Sequence, residues 1–358
     1  MELPLATSDL PGTGGHMGPN PVDFRVTELP RYVPCGEGDH CFLRIRKCAI
    51  TSWEAAARVA LALDRRPGDV GLAGIKDRLA VAEQWISVPD VEPADALGLE
   101  LPGVEILEAA RHGNKLRTGH LAGNLFVVRL VDVDPGARTR AEAILQRLVA
   151  GGAYHYFGPQ RFGARGDNAQ RGRELLAGKL RIRDRRQRRL VLSALQSELF
   201  NAYLVARVQD HGAASLQRPG AGELVQKTDS GGVFAVEDPA EVAERIARRE
   251  VVVTGPLFGP KMRRPPENSA CWALEEQVLA RAGLELAAFD PWKRIAQGAR
   301  RPLLFWPKDP VVRQLDADLE VQFELPPGGY ATVILREITK TPFEALRPES
   351  LAPVPEIS

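Results

Sequence analysis

The sequence predicts an α+β protein built on a mixed, largely antiparallel sheet, with a second domain inserted into the first. Three observations predict it. Up to Val133 the β-like stretches alternate apolar and polar residues with period two, the pattern of strands with one wet face. A doubly wound nucleotide fold calls instead for continuous apolar strands and a GxGxxG turn before a helix, and that turn is absent. Between Arg165 and Ala282 the chain becomes mostly helix-compatible, and β alternation then returns at VQFELPPGGY.

Taken in order, residues 1–20 are rich in Gly and Pro without periodicity and read as an extended arm. DFRVTEL is a strand. So is HCFLRIRKC, where Cys41, Leu43 and Ile45 alternate with Phe42, Arg44 and Arg46. Ser52 is the expected cap of the helix WEAAARVALALDRR, closed by Pro67-Gly68. Strands follow at VGLAGIKD and at EQWISV, so GIKDR falls in a strand-to-strand connection. NLFVVRLVDV is another strand, and ARTRAEAILQRLVAGG is an amphipathic helix ended by Gly151-Gly152. Beyond Tyr156 come the helices LSALQSELFNAYLVARVQDHG and SACWALEEQVLARAG, with strand-like VFAV and VVVTG between them. The segment VQFELPPGGYATVILREI reads as β on both sides of its Pro-Pro-Gly-Gly turn and resembles the first domain. The expected division is a discontinuous domain of residues 1–156 and 303–358 around an insertion of 157–302.

A chain of 358 residues accommodates two domains of ordinary size. With 44% apolar and 26% charged residues it has the balance of a soluble globular protein, which argues against disorder. No apolar run reaches the ~18 residues of a membrane span. MELPLATSDLPGTGG lacks the basic start and apolar core of a signal peptide, so the expected location is cytoplasmic. The four cysteines form no CxxC pair and no zinc-type spacing with histidine; free, mostly buried thiols and no metal site are expected. A net charge of +1 does not demand a polyanion partner, yet KLRIRDRRQRRL is dense in arginine.

Asp77 stands between Lys76 and Arg78 in GIKDRLAVAEQW. Convergence of the three favours the ionised carboxylate. The alternative is a solvated turn whose ion pairs are worth under ~1 kcal/mol. Context favours the first: two glycines before the cations permit close backbone approach, and Trp85 follows on a strand.

GLAGIKDRLAVAEQW resembles the active-site motif of the TruD family of tRNA pseudouridine synthases. Further segments resemble the same family in the same order: PVDFRVTEL with CGEGDHCFLRIRK, NKLRTGHLAGNLFVVRL, YHYFGPQRFGARGDN, SELFNAYLVARV, GPLFGPKMRRP, RRPLLFWPKD and LPPGGYATVILREI. They run from Asp23 to Ile338. The resemblance implies a pseudouridine-synthase catalytic domain interrupted by a TRUD-type α/β insertion. It also implies isomerisation of a tRNA uridine, in bacterial members uridine 13 of the D-arm, with no metal or organic cofactor. The expected partner is tRNA, with no membrane and no obligatory protein partner, and the protein is expected to be a monomer.

By the same resemblance Asp77 is the catalytic carboxylate, acting as nucleophile toward the sugar or as base at C2′. Asn124 matches the family's active-site Asn, and Phe126 and Tyr330 match aromatics at the target base. Lys76, Lys115 and Arg117 are the remaining candidates for substrate contact. Arg111, Arg161, Arg165, the run from Lys179 to Arg189, Lys261, Arg263 and Arg264 are candidates for RNA phosphate. One departure stands out: the family's Lys ahead of the PEDF-like segment is replaced by Gly18, so either Lys76, Lys115 or Arg117 supplies the cation beside Asp77 or the carboxylate works less polarised. A non-catalytic RNA-binding homologue is the competing reading. A hydrolase with a carboxylate pair is a third, and needs a second acid ~5–9.5 Å from Asp77.

Overall fold

Period-two alternation becomes a nine-stranded sheet in the computed structural model, which describes residues 2–163, 165–267 and 269–346. Numbered within this sheet, the strands are β1 (Gly14–Met17), β2 (Phe24–Pro30), β3 (His40–Lys47), β4 (Gly71–Leu72), β5 (Val81–Pro89), β6 (Val104–His112), β7 (Leu121–Val133), β8 (Lys308–Leu315) and β9 (Asp318–Leu325). Their order is β8-β9-β7-β2-β5-β3-β6, with β1 on β7 and β4 on β5. Among the described residues the pairings are antiparallel except for β2 beside β5. This is the mixed, largely antiparallel sheet of an α+β protein.

The inward phase of β3, Cys41, Leu43 and Ile45, packs on Ala55, Ala56, Val59 and Ala60 of the helix Ser52–Ala62, with Val70, Leu72, Ile86 and Val88. That helix is capped by Thr51, not Ser52. Thr51 and Glu54 form a reciprocal capping box, the arrangement that satisfies two orphan donors at once. Ser52 is thereby left free for another role. Phe42 points to the opposite face, where it meets Ala73, Trp85, Leu116 and Leu121.

Three expectations change. The N-terminal arm contains β1, which pairs Gly14 with Val133 and His16 with Val131. VGLAGIKD keeps only Gly71–Leu72 as strand. The stretch after the Pro-Pro-Gly-Gly turn is the helix Ala331–Thr339 rather than a strand. The cysteines are unpaired, but only Cys41 and Cys271 are buried, while Cys35 and Cys48 are exposed.

The chain forms two compact units. One comprises Leu10–Gly151, Trp306–Ala331 and residues 335–346, and holds the nine-stranded sheet. The other comprises the N-terminal residues to Asp9, Gly152–Phe305 and Thr332–Ile334. Its four-stranded antiparallel sheet has the order Val233–Ala235, Leu224–Lys227, Val251–Leu257, Ala299–Pro302. The long helix Arg185–His211 packs against Val251–Leu257 and against the helices Asn168–Leu176 and Ala270–Arg281. No helix among the described residues is long and apolar enough to cross a membrane.

Candidate active site

The Asp77 turn begins where β4 lies on β5, pairing Gly71 with Ser87 and Leu72 with Ile86. A Cβ at Gly71 would stand 2.3 Å from the Leu116 carbonyl oxygen and 2.4 Å from Ser87 Oγ, so only glycine fits. The chain then passes through Gly74 and enters β5 at Val81. Asp77 sits half-buried in this connection, and its Oδ1 accepts the Leu79 amide at 3.1 Å, an Asx turn.

Beneath the turn is a residue that sequence reading did not nominate. Lys47, the last residue of β3, is wholly buried, and its Nζ donates to the Asp77 backbone carbonyl, with the Ala80 carbonyl 3.5 Å away. Burial pulls its pKa down from 10.5 to about 8, and the Asp77 charge is the strongest influence opposing that fall. Ser52 Oγ accepts the Lys76 amide at 2.8 Å and donates to Gln84 Oε1 at 2.7 Å. Arg78 Nε donates to the Ala49 carbonyl at 3.3 Å. The segment from Lys47 to Ser52 is thus fastened to the turn at three consecutive residues, Lys76, Asp77 and Arg78.

Lys76 is committed elsewhere. Its ammonium pairs with the Glu28 carboxylate, both side chains being buried, and the other Glu28 oxygen accepts the Trp85 amide at 3.2 Å. Removing one partner of such a pair leaves an uncompensated buried charge and costs about 3–5 kcal/mol.

Strand register brings Asn124 to this cluster. On β7 it lies opposite Glu28 of β2 and Leu325 of β9. Its Oδ1 is buried with no hydrogen-bond partner among the described residues, an unsatisfied acceptor of the kind that marks a site. Phe126, two residues along on the same face, lies opposite Val26 and Phe323. It is buried between Phe24 and Phe323, with ring centroids 6.1 and 5.9 Å away. Tyr330 is half-buried at the N-terminus of the helix Ala331–Thr339, just past the turn that ends β9.

The loop carrying Lys115 and Arg117 is tied to the motif by the Gly119 amide on the Ala73 carbonyl at 2.9 Å. Lys115 Nζ donates to the Gly68 carbonyl at 3.3 Å, and Arg117 is exposed. Gly18 leaves no room for a side chain, since a Cβ there would meet Asp23 Cγ at 2.5 Å. Several of the expected RNA-contacting cations are engaged within the fold: Arg111 with Glu92, Arg161 with Ser193 and Ser197, Arg263 with the Val233 carbonyl, and Arg264 with Glu276.

The signal for the missed residues was present. Glu28 falls in the buried phase of Phe24 and Val26, and Lys47 in that of Cys41, Leu43 and Ile45. A polar residue in the apolar phase of a strand is held there by a partner.

The arrangement is a half-buried carboxylate on a braced turn, with a buried ammonium beneath it and an unsatisfied amide oxygen in the same unit. A family model described as tRNA pseudouridine synthase D (TruD) matches residues 1–183 and 180–338. A tRNA pseudouridine synthase D of Anaeromyxobacter dehalogenans is 42% identical over 346 residues, 95% of this chain and 97% of that protein. One of Thermus thermophilus is 40% identical over 354 residues, 99% and 96%. The crystal structure of a Methanosarcina mazei protein named as a TruD superposes with a TM-score of 0.76 at 19% identity, over 96% of this chain and 97% of that one, which shows the fold. With family model and close relatives spanning nearly the whole length, this chain belongs to the tRNA pseudouridine synthase D (TruD) family.

Proposed function

We propose that this protein is a tRNA pseudouridine synthase with Asp77 as its catalytic carboxylate. The observation that carries the reading is the bracing of the Asp77 turn by Lys47, Ser52 and the Glu28–Lys76 pair, which fixes a carboxylate where solvent still reaches it. Such preorganisation is what positions a nucleophile or base for attack.

The reaction is an isomerisation. The N1–C1′ bond of a flipped uridine breaks, the uracil turns, a C5–C1′ bond forms, the C5 proton leaves to water and N1 gains a proton. Extrusion from the stack is required before the sugar is reached. Ionised Asp77 either attacks C1′ or removes the C2′ proton, and both roles need the carboxylate charged. Asn124, with its free acceptor, is assigned to the uracil edge, and Tyr330 to the uracil face. Phe126 is assigned to the floor beneath the base, because its ring is held between two others. Lys76 is assigned to act through Glu28 as a brace, and Lys115 and Arg117 are assigned to phosphate contact.

The target position proposed is uridine 13 of the D-arm, carried by the family resemblance. The domain division proposed is catalytic residues 1–156 and 303–358 around an insertion of 157–302, and the working form proposed is a cytoplasmic monomer. The test uses tRNA transcripts tritiated at uridine C5. Wild-type protein is expected to release tritium to water from the parent transcript and not from one with cytidine at position 13. Release from both equally sinks the position, and release from neither sinks the enzyme in favour of an RNA-binding homologue.

A further inference from the structure

The Gly152–Phe305 unit carries a cavity of about 730 Å³ at the start of its longest helix, with Arg185, Arg186, Arg189 and Arg294 among its walls. A neighbouring groove of about 380 Å³ shares Arg185 and Arg294 and adds Arg188, Lys293 and Trp292. The two form one continuous track bearing six cations and an indole.

This charge arrangement opposes folding. Four of the first five residues of the helix Arg185–His211 are arginines, at the end where the helix dipole disfavours positive charge. Arg185 also faces Arg188 and Arg189 at the spacings where like charges repel. Six other arginines of this unit, Arg173, Arg207, Arg245, Arg248, Arg264 and Arg300, each pair with a glutamate. Among the described residues none of the six track cations has an ion-pair partner, and Arg188 Nε is buried without an acceptor. The acid lining the cavity, Asp184, spends its Oδ1 on the Gln187 amide as the helix cap.

We infer that this track is an RNA-binding site, taking the phosphodiester backbone of a tRNA strand on its arginines and one base against Trp292. Guanidinium forks match phosphate oxygens bidentately, and a flat aromatic beside them is the combination that holds single-stranded nucleic acid. Two adjoining grooves that share Arg185 and Arg294, rather than one closed pocket, fit a chain of phosphates and not a lone ion. Such contacts read no sequence, so the site governs affinity and leaves the choice of uridine to the Asp77 centre. The inference rests on the proposed function only for which RNA is bound.

The test measures tRNA affinity of the full chain against sodium chloride concentration. The double variant Arg186→Gln with Arg189→Gln is expected to bind at least about tenfold more weakly at low salt. Its slope of log affinity against log salt should be shallower by roughly 2, near one unit per lost phosphate contact. Trp292→Ala is expected to lose at least about fivefold with little change of slope. Arg248→Ser, which removes an already paired arginine, serves as the control for general charge. Affinity and slope unchanged in the double variant, or an equal loss in the control, overturns the inference. Retained tRNA affinity with loss of polyglutamate binding overturns it too, assigning the track to an acidic protein. Tritium release reports separately on the proposed function, so a wild type that binds through these arginines yet releases none refutes the enzyme and not the site.

Discussion

Lys47 is where the residue scale is most informative. Strand β3 buries Cys41, Leu43 and Ile45 in alternation, and the next position in phase is a lysine held at zero exposure by two carbonyls and the field of Asp77. Lys76 and Arg78, the neighbours that a linear reading favours, are occupied by Glu28 and Ala49. Adjacency in sequence was legible, whereas the thirty-residue jump from Asp77 to Lys47 needs the fold. The buried ammonium also sets a pH dependence. Its folded pKa of about 8 lies below the 10.5 of an exposed lysine, so the unfolded chain binds more protons between those values and stability rises with pH across that window. Cys41 acts in the opposite sense: burial raises it from 9.0 to about 11, and its contribution is lost as pH climbs through that range. Urea unfolding of wild type and Lys47→Met isolates the lysine. The difference in stability between wild type and variant should shift in favour of wild type between pH 8 and 10; a pH-independent difference contradicts the placement of Lys47.

Elements were legible where one periodicity held. Strands β2 and β7 alternate because each buries one face, while β3 and β5, buried on both faces in part, are legible from their β-branched and aromatic residues. The helix Ala331–Thr339 was not legible. Ala331, Val333, Ile334, Leu335 and Ile338 are all buried and Thr332, Glu337 and Thr339 are buried as well. The apolar positions do keep helical spacing, but the run is short and its β-branched Thr332, Val333, Ile334, Ile338 and Thr339 read as strand. The VGLAGIKD stretch failed for a different reason. Only Ala73 among its apolar residues packs with Leu116 of the 113–120 loop; Val70 and Leu72 join the core beneath the helix Ser52–Ala62 and Ile75 is exposed, an arrangement without a period. The close approach at Gly71 gives that packing a direct test. Gly71→Ala pushes a methyl against the Leu116 carbonyl, which has to move with the loop bearing Lys115 and Arg117. Overpacking of this kind costs about 1–3 kcal/mol, read as a lower urea midpoint. A variant as stable as wild type contradicts the contact.

At the scale of the whole molecule, composition suggests an insertion, and a net charge of +1 conceals where the cations lie. The arginine run from Lys179 was visible as a dense stretch. Its placement on the first turn of a helix, facing Arg294 from a distant part of the chain, was not. The division of labour we propose is chemistry at the Asp77 turn in one unit and backbone binding along the arginine track in the other. Asp77→Asn addresses it most directly, since the side chain keeps its shape and its turn-forming oxygen while losing the charge. Measured with C5-tritiated tRNA under single-turnover conditions, the variant should release tritium at least about 10³-fold more slowly than wild type while its tRNA dissociation constant stays within a few fold. Release at the wild-type rate, or a loss of binding as large as the loss of turnover, would contradict the assignment of Asp77 as the catalytic carboxylate.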